Sequence, residues 1–161
     1  MKKYFSEFGE SPIMDNAEPS PQEIAWLAGV FDGEGSIVLN WKKAKRLPTI
    51  GFHITNTNMV LLNKCRSILE KILKRPVKLY LKKHYGYHVV KSKMPCFTID
   101  LRKQAEVLKI VALLLPHLTA KLHKAMLVHE YLIQKPKNIK NQYFVSDTTR
   151  NWIDTIRSRW T

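Results

Sequence analysis

One carboxylate, Glu34, stands where a carboxylate is least welcome. It follows Ile24-Ala25-Trp26-Leu27-Ala28-Gly29-Val30-Phe31, a run that is apolar without a break. That run predicts a helix, and Glu34 falls at its C-terminal end, where the helix dipole disfavours negative charge. If two such helices pack as a symmetric pair, two glutamates converge and the penalty grows. A divalent cation reverses both penalties, because Mg²⁺ takes carboxylate oxygens and backbone carbonyls while keeping several waters. Beside a basic surface, such a group points to metal-assisted phosphodiester chemistry. Zinc chemistry is excluded by spacing. Cys65 and Cys96 are too few for a Cys-rich site or a disulfide framework, and their apolar neighbours predict buried free thiols. His117, His123 and His129 do not share one helix face, and His84 and His88 flank a turn as exposed or phosphate-facing side chains.

The helix that carries Glu34 has a clear start. Ser20 caps it, Pro21 occupies its first position and Glu23 lies in its first turn. It is expected to run to about Asp32, with Gly33 and Gly35 ending it. Being apolar all round, it needs a partner on both sides. Ala25, Gly29 and Gly33 form a stripe of small residues that would let a second helix approach closely, flanked by Trp26 and Val30. Two alternating runs follow, Ser36–Lys42 and Pro48–Thr55. Ile37, Leu39, Trp41, Ile50, Phe52 and Ile54 face one way. Ser36, Val38, Asn40, Lys42, Thr49, His53 and Thr55 face the other. Asn58 caps a helix that Pro76 stops. Strands Val77–His84 and Tyr87–Ile99 turn near Tyr85-Gly86, with Lys78, Tyr80 and Lys82 on the polar side. Helices are expected over Arg102–Leu115, from Leu118 or Thr119 to about Gln134, and from Ser146 or Asp147 to the end. The order α-β-β-α-β-β-α-α-α suits an α+β fold, an antiparallel four-stranded sheet with helices on one face and the other face wet. Residues 1–20 read as a loose arm and 21–161 as a single domain.

The charge says what that wet face meets. The 161 residues carry 27 Lys and Arg against 13 Asp and Glu, a net charge of +14. Residues 1–23 hold two lysines against five acids, so the rest carries +17. From Ser36 to Ile99, fourteen basic residues face only Glu70. An acidic or neutral scaffold is ruled out, and a polyanionic partner is expected. The outer sheet face should be nearly free of acids. Its lysines, hydroxyls, asparagine and histidine are the groups that read base edges in a major groove. Lys43, Lys45, Arg46 and the Arg-rich last helix would position on phosphates. No apolar run reaches the length of a membrane span, and Met1–Asn16 lacks the apolar stretch of a signal peptide and is too acidic for a typical transit peptide. An intracellular protein is expected, its compartment open.

Leu27-Ala28-Gly29-Val30-Phe31-Asp32-Gly33-Glu34-Gly35, continued by Ser36-Ile37, resembles the signature of the LAGLIDADG homing endonucleases. The element order over residues 21–134 is similar to that family's αββαββα fold with its curved sheet, followed here by extra C-terminal helices. One copy of the motif is present, which in this family implies a homodimer with Ala25, Trp26, Gly29, Val30 and Gly33 at the two-fold interface. The resemblance makes Glu34 the acidic metal ligand and the Gly33 carbonyl a second. Lys121, shortly after Pro116, matches the basic residue near the scissile phosphates. Asn56 matches the polar residue that ends the second strand and orients water. The implied activity is cleavage of both strands of a long, near-palindromic double-stranded DNA site across the minor groove, leaving short 3′ overhangs. The implied cofactor is Mg²⁺, with Mn²⁺ or Ca²⁺ as other cations able to bind. Two rivals share the fold, an RNA-binding maturase and a catalytically silent DNA-binding regulator. Neither requires Glu34.

Overall fold

The computed structural model describes residues 17–40, 48–82, 95–134 and 147–160. Its elements run α1 (Pro21–Glu34), β1 (Gly35–Asn40), β2 (Thr49–Asn56), α2 (Met59–Leu73), β3 (Leu79–Leu81), β4 (Phe97–Leu101), α3 (Gln104–Leu114), α4 (Leu122–Gln134) and α5 (Asp147–Arg159), with a 3₁₀ turn at Leu115–His117. The expected order is therefore the observed one. The strands form one antiparallel sheet in the order β1-β2-β4-β3.

Local chemistry explains the boundaries. The Ser20 hydroxyl accepts from the Glu23 N–H at 3.2 Å while the Glu23 carboxylate accepts from the Ser20 N–H at 2.8 Å, a reciprocal cap that starts α1. Asn58 starts α2 by accepting from the Val60 and Leu61 N–H groups at 3.0 and 3.1 Å. The end of the expected arm is held here too, with Glu18 2.9 Å from the Lys74 ammonium, and Glu23 in the first turn of α1 lies 2.9 Å from that of Lys71.

Several limits differ from expectation. α1 runs past Asp32 to Glu34 and passes into β1 at Gly35 with no loop between them. β4 begins at Phe97 and extends beyond Ile99 to Leu101, β3 covers Leu79–Leu81, and the expected turn near Tyr85-Gly86 lies outside the described residues. α3 begins at Gln104, two residues later than expected, with Lys103 at its N-cap position. α4 begins at Leu122, not Leu118 or Thr119, and the N–H groups of residues 119–121 just before it are taken by the Asp32 carboxylate.

The core lies between the sheet and the helices. Ile37, Leu39, Ile50, Phe52, Ile54, Ile99 and Leu101 bury one sheet face. Leu27, Ala28 and Phe31 of α1, with Ile68 and Leu69 of α2, Val107 and Ile110 of α3 and Val128 of α4, cover it. Phe31 stacks on Phe52 with ring centroids 4.4 Å apart and planes 7° from parallel. Gly35 is required by this packing. A Cβ there would run into the Phe31 ring and lie 2.6 Å from the Phe31 carbonyl oxygen. Tyr131, fully buried, donates its hydroxyl proton to the Pro48 carbonyl at 3.1 Å and so ties α4 to the start of β2. Ile153 and Ile156 seat α5, and Trp152 stacks on Tyr131. Cys65 is buried as expected, and burial pushes its thiol pKa up to about 11. Cys96 is only half-buried, at the approach to β4. Among the described residues no helix is long and apolar enough to cross a membrane.

Candidate functional site

The junction of α1 with the sheet gathers the groups that the sequence singled out. Glu34 is exposed as the last residue of α1 and has no ion-pair partner among the described residues. The next residue, Gly35, pairs with Ile54, two residues before Asn56 at the end of β2. Lys121 arrives from the other side. Its ammonium donates to the Asp32 carbonyl oxygen, and its Nζ stands 6.0 Å from the centre of the Phe31 ring. One end of the sheet thus carries an unpaired carboxylate, a fixed ammonium and a polar amide.

The residue that holds this arrangement is Asp32, which the sequence reading treated only as part of the motif. Its carboxylate accepts from the backbone N–H groups of Thr119 at 2.6 Å, Ala120 at 3.2 Å and Lys121 at 2.9 Å. Burial works to raise its pKa, but the three N–H groups and the nearby Lys121 charge outweigh it and hold the group below the usual aspartate range. A depressed carboxylate contributes stability above its unfolded pKa and loses it as pH falls through the folded value. Asp32→Asn is therefore expected to cost about 1–2 kcal/mol near neutrality. The difference from wild type should shrink in acid, as urea unfolding at about pH 7 and pH 2.5 would measure.

Asn56 is committed in part. Its Oδ1 accepts from the Asn58 N–H at 2.8 Å, a turn contact that leaves its amide protons for other partners. The oxygens that could meet a cation are the Glu34 carboxylate and the Gly33 carbonyl, since the Phe31 carbonyl accepts from the Gly35 N–H and that of Asp32 from Lys121. Among the described residues no three His, Cys, Asp or Glu side chains converge on one point. A donor set of hard oxygens with one charge fits a cation that keeps most of its waters, as Mg²⁺ does, and suits zinc poorly.

The outer sheet face alternates as expected. Ser36, Asn40, Lys78, Tyr80 and Lys82 are exposed, while Val38, Thr49, His53 and Thr55 are half-buried. Thr55, Thr98 and Tyr80 form one row across three strands, and the Thr55 hydroxyl donates to that of Thr98 at 2.9 Å. Ser36, His53 and Asp100 form the next. Asp100 corrects the expectation of a face nearly free of acids. Its carboxylate lies 3.3 Å from His53 Nδ1 and accepts from Arg102 Nε at 3.0 Å and Nη2 at 2.7 Å. Alternation along β4 places Asp100 on this face, a signal available in the sequence, and Arg102, one residue past the strand, reaches back to it. Burial lowers the His53 pKa, and the Arg102 and Lys82 charges lower it further against the pull of Asp100. Its ring lies where a side chain at Gly51 would stand, which is why the outer face has a glycine there. Glu70, the one acid from Ser36 to Ile99, is buried instead, accepting from the Val77 N–H at 2.9 Å.

The remaining sites divide. Lys42, Lys43, Lys45 and Arg46 lie outside the described residues. Arg159 of the last helix is tied to Glu130 at 3.1 Å, which makes it a brace between α5 and α4. α1 is not enclosed. Ala25, Gly29 and Gly33 are exposed, and a Cβ added at Gly29 or Gly33 would meet nothing within 4 Å. Val30 is half-buried at the stripe's edge, and Trp26 is half-buried with the Lys64 ammonium 4.2 Å over its ring.

No protein-family model matches the sequence, and no curated protein matches it. Solved structures do match. The homing endonuclease I-CvuI, in complex with its target in the presence of calcium, aligns over 85% of this chain and 96% of its own at 15% identity and a TM-score of 0.55. The group I intron-encoded homing endonuclease I-CeuI, complexed with DNA, aligns over 89% and 67% at 15% identity and a TM-score of 0.60. The LAGLIDADG homing endonuclease I-SmaMI, bound to cleaved DNA, aligns over 89% of this chain but 44% of its own, at 15% identity and a TM-score of 0.53.

Proposed function

We propose that this chain, whose fold is that of the LAGLIDADG homing endonucleases, is a site-specific DNA endonuclease. It pairs as a homodimer on a long, near-palindromic duplex site and hydrolyses a phosphodiester bond in each strand with a divalent metal, Mg²⁺ first. The observation that carries this reading is Glu34, exposed and without an ion-pair partner among the described residues where the motif helix enters the sheet, two residues from the carbonyl that holds Lys121. A solvated sheet alone would need no such carboxylate. The DNA-bound homing endonucleases of the same fold support the partner, and the open Ala25-Gly29-Gly33 face supports the pairing.

The Glu34 carboxylate and the Gly33 carbonyl would hold the metal. When bound, the metal supplies an activated water and neutralises charge at the phosphate. Lys121, with its backbone N–H on the Asp32 carboxylate and its ammonium on the Asp32 carbonyl, presents a fixed positive charge where the transition state gains negative charge. Asn56 keeps its amide N–H groups for an oxygen of water or phosphate. Ser36, Val38, Asn40, Thr49, His53, Thr55, Lys78, Tyr80 and Lys82 form the surface that faces the bases, with Lys42 continuing it.

The test is cleavage of duplexes enriched by binding from a randomised library, with Mg²⁺ and then with EDTA. Cutting of both strands in Mg²⁺ alone is the expected result. Tight binding without cutting in Mg²⁺ would overturn the enzyme and leave a regulator.

A further inference from the structure

Arg102 is the most solvent-reaching member of a built unit on the outer face, and nothing in the hydrolytic site uses it. Its side chain is 72% exposed, whereas those of Asp100 and His53 are 22% and 21% exposed. Asp100 holds the guanidinium by one edge only, with Nε 3.0 Å from each oxygen and Nη2 2.7 Å from Oδ2. His53 Nδ1 braces Asp100 from the neighbouring strand at 3.3 Å. The far edge, both protons of Nη1 and the second proton of Nη2, is left pointing away from the carboxylate. A guanidinium fixed on one edge has lost the rotational freedom that makes a free surface arginine a poor discriminator. Two parallel N–H donors at that spacing match one base edge in a major groove, the O6 and N7 acceptors of guanine.

We propose that Arg102, set by Asp100 and His53, is a specificity-determining residue that selects guanine at one base pair in each half of the DNA site. The inference rests on the endonuclease reading above and adds a residue and a base to it. Asp100 acts here as a positioning residue, since it touches the arginine and not the base. An acid on an otherwise basic face weakens attraction to phosphates, and its presence there is explained if it orients a reader.

Selection from a randomised duplex library separates the possibilities. The wild-type protein should enrich a motif with a guanine at one symmetric pair of positions. Arg102→Lys keeps the charge but removes the fork, and should lower the guanine preference there about ten- to a hundred-fold while leaving the other positions unchanged. Asp100→Ala keeps the arginine, raises the net charge, and should relax the same position without weakening overall binding. A phosphate contact would behave differently. Arg102→Lys would then leave the motif intact, and Arg102→Ala would weaken all sequences alike and reduce the salt slope by about one unit. That result, or an unchanged motif in Asp100→Ala, overturns this proposal alone. A wild-type protein that enriches no motif overturns the DNA reading and this inference with it. Matching thermal melts of the variants would show that each remains folded.

Discussion

Glu34→Gln is expected to bind its DNA site as tightly as the wild type and to cut it at least about a thousand-fold more slowly. A metal at the reacting phosphate contributes several kcal/mol of transition-state stabilisation, and each 1.36 kcal/mol is a factor of ten in rate. The substitution keeps the shape and removes the charge that would hold the cation. Folding should not suffer, because Glu34 is exposed and has no ion-pair partner among the described residues, and such surface changes cost about 0.5 kcal/mol or less. Removing it should even relieve the repulsion between a carboxylate and the negative end of α1. Single-turnover cleavage beside a binding titration measures the two halves of the claim. Cutting at the wild-type rate would remove Glu34 from the metal site.

The second large effect separates folding from pairing. Gly29→Leu should leave the monomer as stable as before or more so, since nothing lies within 4 Å of the added Cβ and leucine is favoured over glycine inside a helix by up to about 1 kcal/mol. Pairing should fail. Small residues let two helix backbones approach more closely than the usual 8–10 Å between packed helix axes (roughly the range for ordinary side chains). A leucine at the centre of the stripe forces them apart. Sedimentation should show a monomer where the wild type is a dimer, and double-strand cutting should fall to background. An unchanged dimer would move the interface elsewhere. Gly35 provides the contrast, because there the Phe31 ring and carbonyl leave no space and the same substitution would strike the core.

Much of this was legible where the determining contacts are close in sequence. The Ser20–Glu23 box, the Asn58 cap and the alternation of β1 and β2 each depend on residues within a few positions, and each stands as read. The motif placed Glu34, and Lys121 came from resemblance and not from pattern. What stayed hidden is long-range. Nothing local to Asp32 reveals that its carboxylate will hold the N–H groups of residues 119–121, just ahead of α4. The helix α1 looked apolar on every side, yet one side is lined by alanine and glycines that leave open surface. The small-residue stripe at Ala25, Gly29 and Gly33 pointed to the face that a partner would take, and the fold shows that face open. On the outer sheet the omission was of another kind. Counting charge from Ser36 to Ile99 stops one residue short of Asp100, and the acid it does find, Glu70, is buried away from that face.

The direct passage from α1 into β1 has a consequence for accuracy. Glu34 ends the helix, Gly35 begins the strand, and Ser36 is the first residue of the sheet face proposed to meet the bases. With no loop to flex, and with Phe31 clamped between Gly35 and Phe52, the proposed cutting group and the proposed reading surface would form one rigid ruler. On that proposal, the offset between the sequence recognised and the bond broken is built into the covalent chain. Such a ruler cannot slip by a base pair without breaking the core. Errors of this protein should therefore arise from accepting the wrong site, and not from cutting the right site in the wrong place.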